Sequence, residues 1–593
     1  MKNKALNYRK TVIILLFIGI AVIIYLLSIF FAYPIFQNTR LTDPLAEVHS
    51  LFPLYYIAIV MIALTCIGCI IWKIENKYLH LFLLLIFATM LWFTPYYLTG
   101  FTRLPDGPWH VGIALHIPQV LSGDSVAFSN YAISYPGSFI YHYIILNIIG
   151  VIKPTTYINS FFPLFDVLLF VFLCYLFISR LFNQQIAFFS LLIAIPGLHY
   201  TQFHPSPHTI GALLMLTVLL LLTRPGVVSK VIAITVITVI IISHPTTPLL
   251  LSIFLMAALI SNVIYIRKVN RTQIILAGIL TLCFSGWFFW SQFYSSFAPL
   301  ETAATLSQQV ISTKPKVAQN LSQQVISTKP KVAQKYLIGT PFIYKNIYNL
   351  NKAIYILYAI IAIWGILYII IRAYFEKKSI RNWIRNLLGL NPSETFMVFS
   401  ILPLFIFTLL LAEVAHDLIE TGLTYIILAL SCLIASAISR LYHHITNKKI
   451  IHSMVTAWLL FLTLSFPIVA YSIDAYSSFP KSEEAGLKFL TDTPLNEKIV
   501  AMTMANQLAL YTQSPLDQAK FINLHTPQVP NLSKIQPDLI VFRSTGYYYA
   551  AMRHDLSFKN NRFTEYMAMV ENNKYDKVYS SPTFETYSKN IER

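Results

Sequence analysis

Charged residues are scarce in this sequence. They make up 11% of its 593 residues, whereas hydrophobic residues make up 56%. A soluble globular domain carries about 25% charged residues, so this composition excludes a soluble globule. Apolar runs of about 18 residues or more recur between Thr11 and Ala470, and each is long enough to cross a membrane as a helix. We therefore predict an α-helical polytopic membrane protein with about 13 or 14 transmembrane helices.

Cysteine is also scarce, and its positions indicate no disulfide framework. Two of the cysteines form a CxxC pattern, but one turn apart on a membrane helix they are better interpreted as small packing residues than as a redox pair. All five lie inside apolar runs: Cys66, Cys69, Cys174, Cys283 and Cys432.

Acidic residues are the scarcest charged class in the apolar part of the chain. Residues 1–473 contain twelve Asp and Glu against thirty Lys and Arg, and residues 474–593 contain thirteen of each. The net charge of +18 therefore arises in the apolar part, which favours membrane topology over nucleic-acid binding as its cause. Short loops rich in basic residues face the cytoplasm. Those loops are Lys2–Lys10, Lys73–Lys77, Arg224–Lys230, Arg267–Arg271, Arg372–Arg385 and Arg440–Lys449.

One polar stretch, Gly100–Gly137, lies between long apolar runs on the predicted outer side of the membrane. It contains Arg103, Asp106, His110, His116 and Asp124. Asp106 stands in a Pro-Asp-Gly sequence, where it is either a general base with a raised pKa at the edge of the bundle or a turn residue. We interpret the stretch as a catalytic loop, with Asp106 and His110 as catalytic candidates and Arg103 and Asp124 as substrate-binding candidates.

Two proline-rich interruptions add histidines at predicted outer helix ends. They read His204-Pro-Ser-Pro-His208 and His244-Pro-Thr-Thr-Pro248. Proline frees backbone carbonyls there, so these segments either line a polar cavity or cap the adjoining helices. His204, His208 and His244 are therefore substrate-binding candidates. The spacing does not match a zinc site.

A further group of acids, Glu413, Asp417 and Glu420, has helical spacing, with His416 one turn after Glu413. On one helix face these carboxylates would bind a divalent cation such as Mg²⁺ or Mn²⁺, or would form the solvated end of a helix. Asp166 stands alone in an apolar run, which requires either a basic partner or a neutral carboxyl group.

The chain divides into three predicted parts. Residues 1–78 hold two N-terminal helices, joined by a short predicted outer loop that contains Asp43, and 79–473 form the main transmembrane domain, which begins with a helix near 79–98. Residues 474–593 form a small extracytoplasmic α/β domain. Its predicted elements are helices at Ser482–Thr491 and Arg562–Val570, strands at Lys498–Met502 and Leu539–Phe542, and a strand or hairpin at Lys577–Tyr587. The sequence Leu306–Gln319 recurs unchanged as Leu321–Gln334, which indicates a duplication in a tolerant surface loop. Between 134 and 200, the charge bias and the number of apolar segments disagree, so one segment there is re-entrant, broken or not a helix.

Several short motifs resemble the polytopic GT-C glycosyltransferases, in particular the dolichyl-phosphate-mannose type. They are Asp106 with His110, Ser134-Tyr-Pro-Gly-Ser138, Gln202-Phe-His-Pro-Ser-Pro207, Ser243-His-Pro-Thr-Thr-Pro248, Glu483-Glu-Ala-Gly-Leu-Lys-Phe-Leu490 and Asn573-Lys-Tyr-Asp-Lys-Val-Tyr579 with Phe584-Glu-Thr-Tyr587. The WWDYG motif of oligosaccharyltransferases is absent, which argues against en bloc oligosaccharide transfer. The predicted catalytic loop also follows the third helix, whereas in many members it follows the first.

The resemblance implies a multi-pass membrane enzyme that takes a sugar from a polyprenyl-phosphate donor and passes it to an extracytoplasmic glycan or protein. Asp106 would act as the base of an inverting reaction, with Arg103 or Lys345 near the lipid phosphate. The short cytoplasmic loops carry no glycine-rich phosphate cradle, so nucleotide sugars have no evident site. A transporter or lipid flippase, and a non-catalytic envelope protein of GT-C descent, are the alternatives.

Overall fold

In a computed structural model of the chain, the described residues are mostly helical. The structure describes residues 2–39, 46–51, 53–99, 106–122, 135–150, 154–198, 204–244, 246–266, 352–361, 392–412, 416–444 and 448–474, strands between 499 and 589, and a few isolated positions. The sequence also predicts helices at 272–293 and 352–373. Of these, 352–361 is described as a helix, whereas 272–293 lies almost wholly outside the described residues, as does the repeat at 306–335.

The helices are labelled in chain order. They are α1 (Lys2–Thr39), α2 (Ala46–Leu51), α3 (Leu54–Ile71), α4 (Lys77–Ala88), α5 (Thr94–Thr99), α6 (Asp106–Leu115), α7 (Ile117–Ser122), α8 (Pro136–Ile149), α9 (Phe162–Leu181), α10 (Gln184–Gly197), α11 (Pro207–Leu222), α12 (Val227–Ser243), α13 (Thr247–Ile266), α14 (Lys352–Ile361), α15 (Pro392–Ala412), α16 (His416–His444) and α17 (Lys448–Asp474).

Six helical segments in the described ranges are long and apolar enough to cross a membrane, judged by length and composition: Tyr8–Phe36, Leu54–Ile71, Lys77–Leu98, Tyr157–Leu181, Gly422–Tyr442 and Lys448–Tyr471. Six shorter apolar helices of 10–17 residues accompany them. The chain is thus a multi-pass helical membrane protein, as its composition predicts. The total of 13 or 14 crossings stays a prediction because part of the apolar sequence lies outside the described residues.

Side-chain caps explain several helix starts. Asn76 Oδ1 accepts hydrogen bonds from the amides of Tyr78 and Leu79 at the start of α4, and Asn183 Oδ1 accepts one from Ile186 N at the start of α10. Both α8 and α10 have 14 residues, fewer than the roughly 20 that a membrane-spanning helix needs. Short helices are compatible with a broken or re-entrant segment in this region.

The polar stretch between Gly100 and Gly137 is not a loop throughout, because it contains α6 and α7. Asp106 begins α6 and Pro108 stands in its first turn, a position where proline is tolerated because the amide has no helical partner. Farther along α6, Val111 and Ile113 are buried in two apolar clusters. The prediction of a loop is therefore wrong for this part of the stretch, which forms two short helices. The Pro-Asp-Gly sequence is typical of turns, and for that reason it did not indicate a helix start.

A π-helical turn, Thr89–Phe93, separates α4 from α5 just before the polar stretch. Tyr55 OH donates to Met90 O at 2.9 Å, and Tyr471 OH donates to Leu91 O at 2.6 Å. These bonds connect α3 and α17 to the segment that enters the polar stretch. A second π turn, Tyr157–Phe161, leads into α9.

A buried ion pair joins α15 and α16. Glu394 accepts hydrogen bonds from Arg440 and Ser436, and its side chain is fully buried. On the same end of α15, Ser393 donates to Leu181 O, and Ser261 Oγ donates to Pro392 O at 2.7 Å. Arg440 lies near the end of α16 that the charge pattern predicts to be cytoplasmic, so these contacts connect four helices, α9, α13, α15 and α16, at that end.

The C-terminal part contains a five-stranded sheet. Its strands are β1 (Ile499–Met502), β2 (Lys520–Asn523), β3 (Leu539–Arg543), β4 (Tyr575–Ser581) and β5 (Phe584–Lys589), in the order β2-β1-β3-β5-β4. The first three strands pair in parallel, whereas β5 pairs antiparallel with β3 and β4.

The sheet confirms the predicted strands at 498–502 and 539–542 and the hairpin at 577–587. The predicted helices Ser482–Thr491 and Arg562–Val570 lie outside the helices that the structure describes. The division of the chain at 78 and 473 stays a prediction.

Candidate histidine site

The structure brings together four histidines that the sequence suggested and a fifth that it did not. His110 lies on α6, His204 precedes α11, His208 is in the first turn of α11, and His244 follows α12. The fifth is His142, on α8. We call these five residues the histidine cluster.

His110 connects α6 to the segment before α11. Its Nδ1 lies 3.1 Å from Pro205 O, a hydrogen bond that requires a proton on Nδ1. The ring centroids of His110 and His204 are 6.2 Å apart, and the ring of Phe139 on α8 lies 6.1 Å from that of His110. Three separate segments therefore meet at this imidazole.

His142 connects α8 to the second π turn. Its Nδ1 lies 2.8 Å from Tyr157 OH, and its ring packs edge-on against Phe162 with centroids 5.1 Å apart. Sequence reasoning missed His142 because it stands in the apolar run 139–149, with no proline or acidic residue to mark it. The only sequence signal is the presence of an ionisable residue inside an apolar run.

His244 is held by its own loop. Its Nδ1 lies 2.8 Å from Thr247 Oγ1 and 3.1 Å from Thr246 Oγ1, and its ring contacts that of His208 with centroids 5.6 Å apart. Gly211 on α11 permits this approach, because an added Cβ there would collide with Thr247 Oγ1. The two proline-rich interruptions thus lie side by side.

Burial keeps the imidazoles of His110, His204 and His244 uncharged. Desolvation lowers the pKa of His110 to about 3, against which the hydrogen bond to Pro205 acts only weakly. Desolvation also lowers the pKa values of His204 and His244 well below the ordinary value, and repulsion from neighbouring histidines lowers them further. At neutral pH each ring therefore offers one donor and one acceptor nitrogen.

The remaining predicted site residues are only partly described. Asp106 is the first residue of α6, four positions before His110, but its side chain lies outside the description, as do the whole residues Arg103, Asp124, Lys345 and Glu413. Asp417 and Glu420 belong by backbone to the first turns of α16. Among the described residues, no group of three or more metal-binding side chains could hold one ion. The expected cation at Glu413, Asp417 and Glu420 therefore stays untested.

Asp166 on α9 is fully buried, and neither of its carboxylate oxygens has a hydrogen-bond partner among the described residues. It lies within electrostatic range of Tyr141, Tyr157 and Tyr425. The sequence raised two possibilities for it, a basic partner or a neutral carboxyl group. Burial without a described partner favours the neutral group.

No protein-family model matches the sequence, and no curated protein sequence matches it. Solved structures do resemble the chain. ArnT from Cupriavidus metallidurans, bound to undecaprenyl phosphate, is 11% identical with a TM-score of 0.46, over 86% of this chain and 98% of ArnT. The archaeal oligosaccharyltransferase AglB from Archaeoglobus fulgidus, in complex with an inhibitory peptide and a dolichol-phosphate, is 13% identical with a TM-score of 0.46, over 88% of this chain and 75% of AglB. At low identity, the chain is thus similar in structure to ArnT bound to undecaprenyl phosphate and to AglB in complex with a dolichol-phosphate.

Proposed function

We propose that this chain is a membrane glycosyltransferase that moves a sugar from a polyprenyl-phosphate donor to an acceptor outside the cytoplasm. The observation that carries the proposal is the histidine cluster, a polar site whose members His110, His142, His204 and His244 are buried within an otherwise apolar bundle. One of its members, His110, is on the helix that begins at the rare acid Asp106. Polar groups inside membrane proteins are costly and mark functional sites.

The chemistry is a single displacement with inversion. The acceptor hydroxyl loses its proton to the Asp106 carboxylate while its oxygen attacks the anomeric carbon. The bond from that carbon to the phosphate oxygen breaks, and the lipid phosphate leaves with the electron pair. Arg103 or Lys345 would neutralise the phosphate, and Asp124, His204, His208 and His244 would contact the substrates. A Mg²⁺ or Mn²⁺ ion at Glu413, Asp417 and Glu420 would serve the same purpose as the cationic side chains.

The orientation belongs to the same proposal. Basic loops place the N-terminus and residues 440–449 in the cytoplasm, and they place α6 and the C-terminal part outside. A donor carried on a polyprenyl lipid reaches that side without a nucleotide, so the enzyme needs no cytoplasmic nucleotide site.

The test of the base is Asp106→Asn, which preserves size and removes the proton acceptor. We expect transfer of radiolabelled sugar from polyprenyl-phosphate donors in vesicles to fall by about 10²–10⁴-fold, the usual contribution of a general base, with the same amount of folded protein. Asp43→Asn, at an acid in the predicted first outer loop, is the matched control and should leave transfer unchanged. Full activity of Asp106→Asn would exclude Asp106 as the base.

Transport of a lipid-linked substrate is the second candidate, and the buried Asp166 favours it. An ionisable group in a membrane helix often lies on a substrate or proton pathway. The same vesicles separate the two candidates, because a flippase moves labelled lipid across the membrane without forming a labelled acceptor. Movement of label without transfer, abolished by Asp166→Asn, would replace the transferase proposal.

A further inference from the structure

Four buried polar atoms in and beside the histidine cluster have no hydrogen-bond partner within the described ranges. They are Ser138 Oγ, His142 Nε2, His204 Nδ1 and Ser243 Oγ. The four residues are exposed by 2% or less. Buried polar atoms in native proteins are nearly always hydrogen-bonded, and leaving one unpaired destabilises the folded state. Four such atoms in one region therefore indicate a ligand that satisfies them.

The four atoms converge from three segments. Ser138 and His142 are one turn apart on α8, so they share a face of that helix. An added Cβ on Gly137 would lie 2.5 Å from Ser243 Oγ, so the end of α12 lies directly against the start of α8. His204, from the segment before α11, lies within electrostatic range of His142.

The donor and acceptor types of these atoms fit an uncharged, hydroxyl-rich ligand. A neutral imidazole nitrogen either donates or accepts, and a serine hydroxyl does both, as the hydroxyl groups of a sugar do. The ionisable side chains whose charge affects the pKa of His204 are all histidines: His110, His208 and His142. Among the described residues, then, no lysine or arginine acts on His204, and no group of three or more metal-binding side chains could hold an ion.

We propose that Ser138, His142, His204 and Ser243 bind the hydroxyl groups of the sugar ring on the lipid-linked donor. The identity of that donor rests on the proposed function. The two parts of the donor, its sugar and its phosphate, therefore bind to different groups of residues. The sugar binds among uncharged histidines and serines, and the phosphate is neutralised by a cation outside this group, Arg103 or Lys345.

The test uses Ser138→Ala and Ser243→Ala in the purified full-length chain. Each variant removes an oxygen that has no partner in the described structure, so we expect an unchanged or slightly raised Tm. Binding is measured with farnesyl-phosphate mannose, glucose and galactose, and with farnesyl phosphate alone. We expect each variant to weaken binding of the preferred hexose probe by about 5- to 30-fold, the factor that one lost polar contact produces. The Kd of farnesyl phosphate should not change.

Ser431→Ala is the matched control. Ser431 Oγ is also buried without a described partner, but it lies on α16, outside the cluster. It should leave both Kd values unchanged. Equal hexose binding by the wild type and the two serine variants overturns the proposal, as does a wild type that prefers no hexose probe to farnesyl phosphate.

An effect confined to the acceptor also overturns the donor assignment, because the sugar bound here would then belong to the acceptor. This outcome would appear as a raised KM for the acceptor with an unchanged donor Kd. The donor measurements require no turnover. Their failure is therefore distinguishable from failure of the transferase proposal, which the Asp106→Asn variant tests.

Discussion

Buried histidines are expected to make the stability of this protein sensitive to acid. The pKa of His110 is lowered to about 3, and those of His204 and His244 are lowered well below the ordinary value by burial. In the unfolded chain the same side chains protonate near pH 6.5. Above that pH both states are neutral and the histidines do not affect the pH dependence of stability. Below that pH the unfolded state binds protons that the folded state cannot bind. The stability of the folded state therefore decreases as the pH is lowered.

We therefore expect the protein to lose stability between pH 6.5 and pH 5. Each histidine contributes up to about 1.4 kcal/mol per pH unit well below its unfolded pKa, so three together produce a large drop in Tm in detergent. His204→Gln should reduce the slope, because glutamine does not titrate. His452→Gln, at a partly buried histidine on α17, is the control. A Tm that is constant down to pH 5 would contradict the burial of these rings.

The sequence identified four of the five clustered histidines, and the reason is local. His204, His208 and His244 stand beside prolines, and His110 follows Asp106, so each has a visible polar neighbour in the sequence. His142 has none, and its partner Tyr157 comes from a different segment 15 residues later. The contact between His142 and Tyr157 forms only when the chain folds, so the sequence neighbours of His142 do not indicate it.

At the scale of elements, the π turns were not predictable from periodicity. The apolar run at 79–98 predicts one uninterrupted helix, but the structure divides it into α4, Thr89–Phe93 and α5. Tyr55 and Tyr471, which lie far away in sequence, donate from their hydroxyl groups to carbonyls of this turn, and the neighbouring Thr94 Oγ1 also donates to Met90 O. Tertiary hydrogen bonds of this kind favour a turn that local propensity would not select.

Tyr471→Phe tests whether these bonds hold the turn. The variant leaves the buried Leu91 carbonyl without its donor, which costs about 1–3 kcal/mol, so we expect a lower Tm. If the turn also positions the segment leading to α6, transfer activity should fall together with stability. Tyr33→Phe, at an exposed tyrosine on α1, is the control and should behave as the wild type. An unchanged Tm for Tyr471→Phe would show that the turn forms without this bond.

At the scale of the whole molecule, composition predicted the class of protein and charge predicted its orientation. The sheet illustrates the limit of this reasoning. Three of its regions were predicted as strands, but β2 at Lys520–Asn523 was not, and neither was the order β2-β1-β3-β5-β4. Strand order depends on pairing between distant segments, which no local pattern encodes.

The orientation is tested by labelling on either side of α17. Lys449 is exposed in the first turn of this helix, and Lys481 follows its last residue, Asp474, by seven positions. In a background with all native cysteines replaced by alanine, Lys449→Cys and Lys481→Cys should differ towards a membrane-impermeant maleimide in right-side-out vesicles. We expect Lys481→Cys to react at once and Lys449→Cys to react only after permeabilisation, because the charge pattern predicts that the basic residues 440–449 face the cytoplasm. The opposite pattern would place the C-terminal part in the cytoplasm. If both positions reacted at once, both ends of α17 would lie outside, and neither a crossing by α17 nor a cytoplasmic location of residues 440–449 would hold.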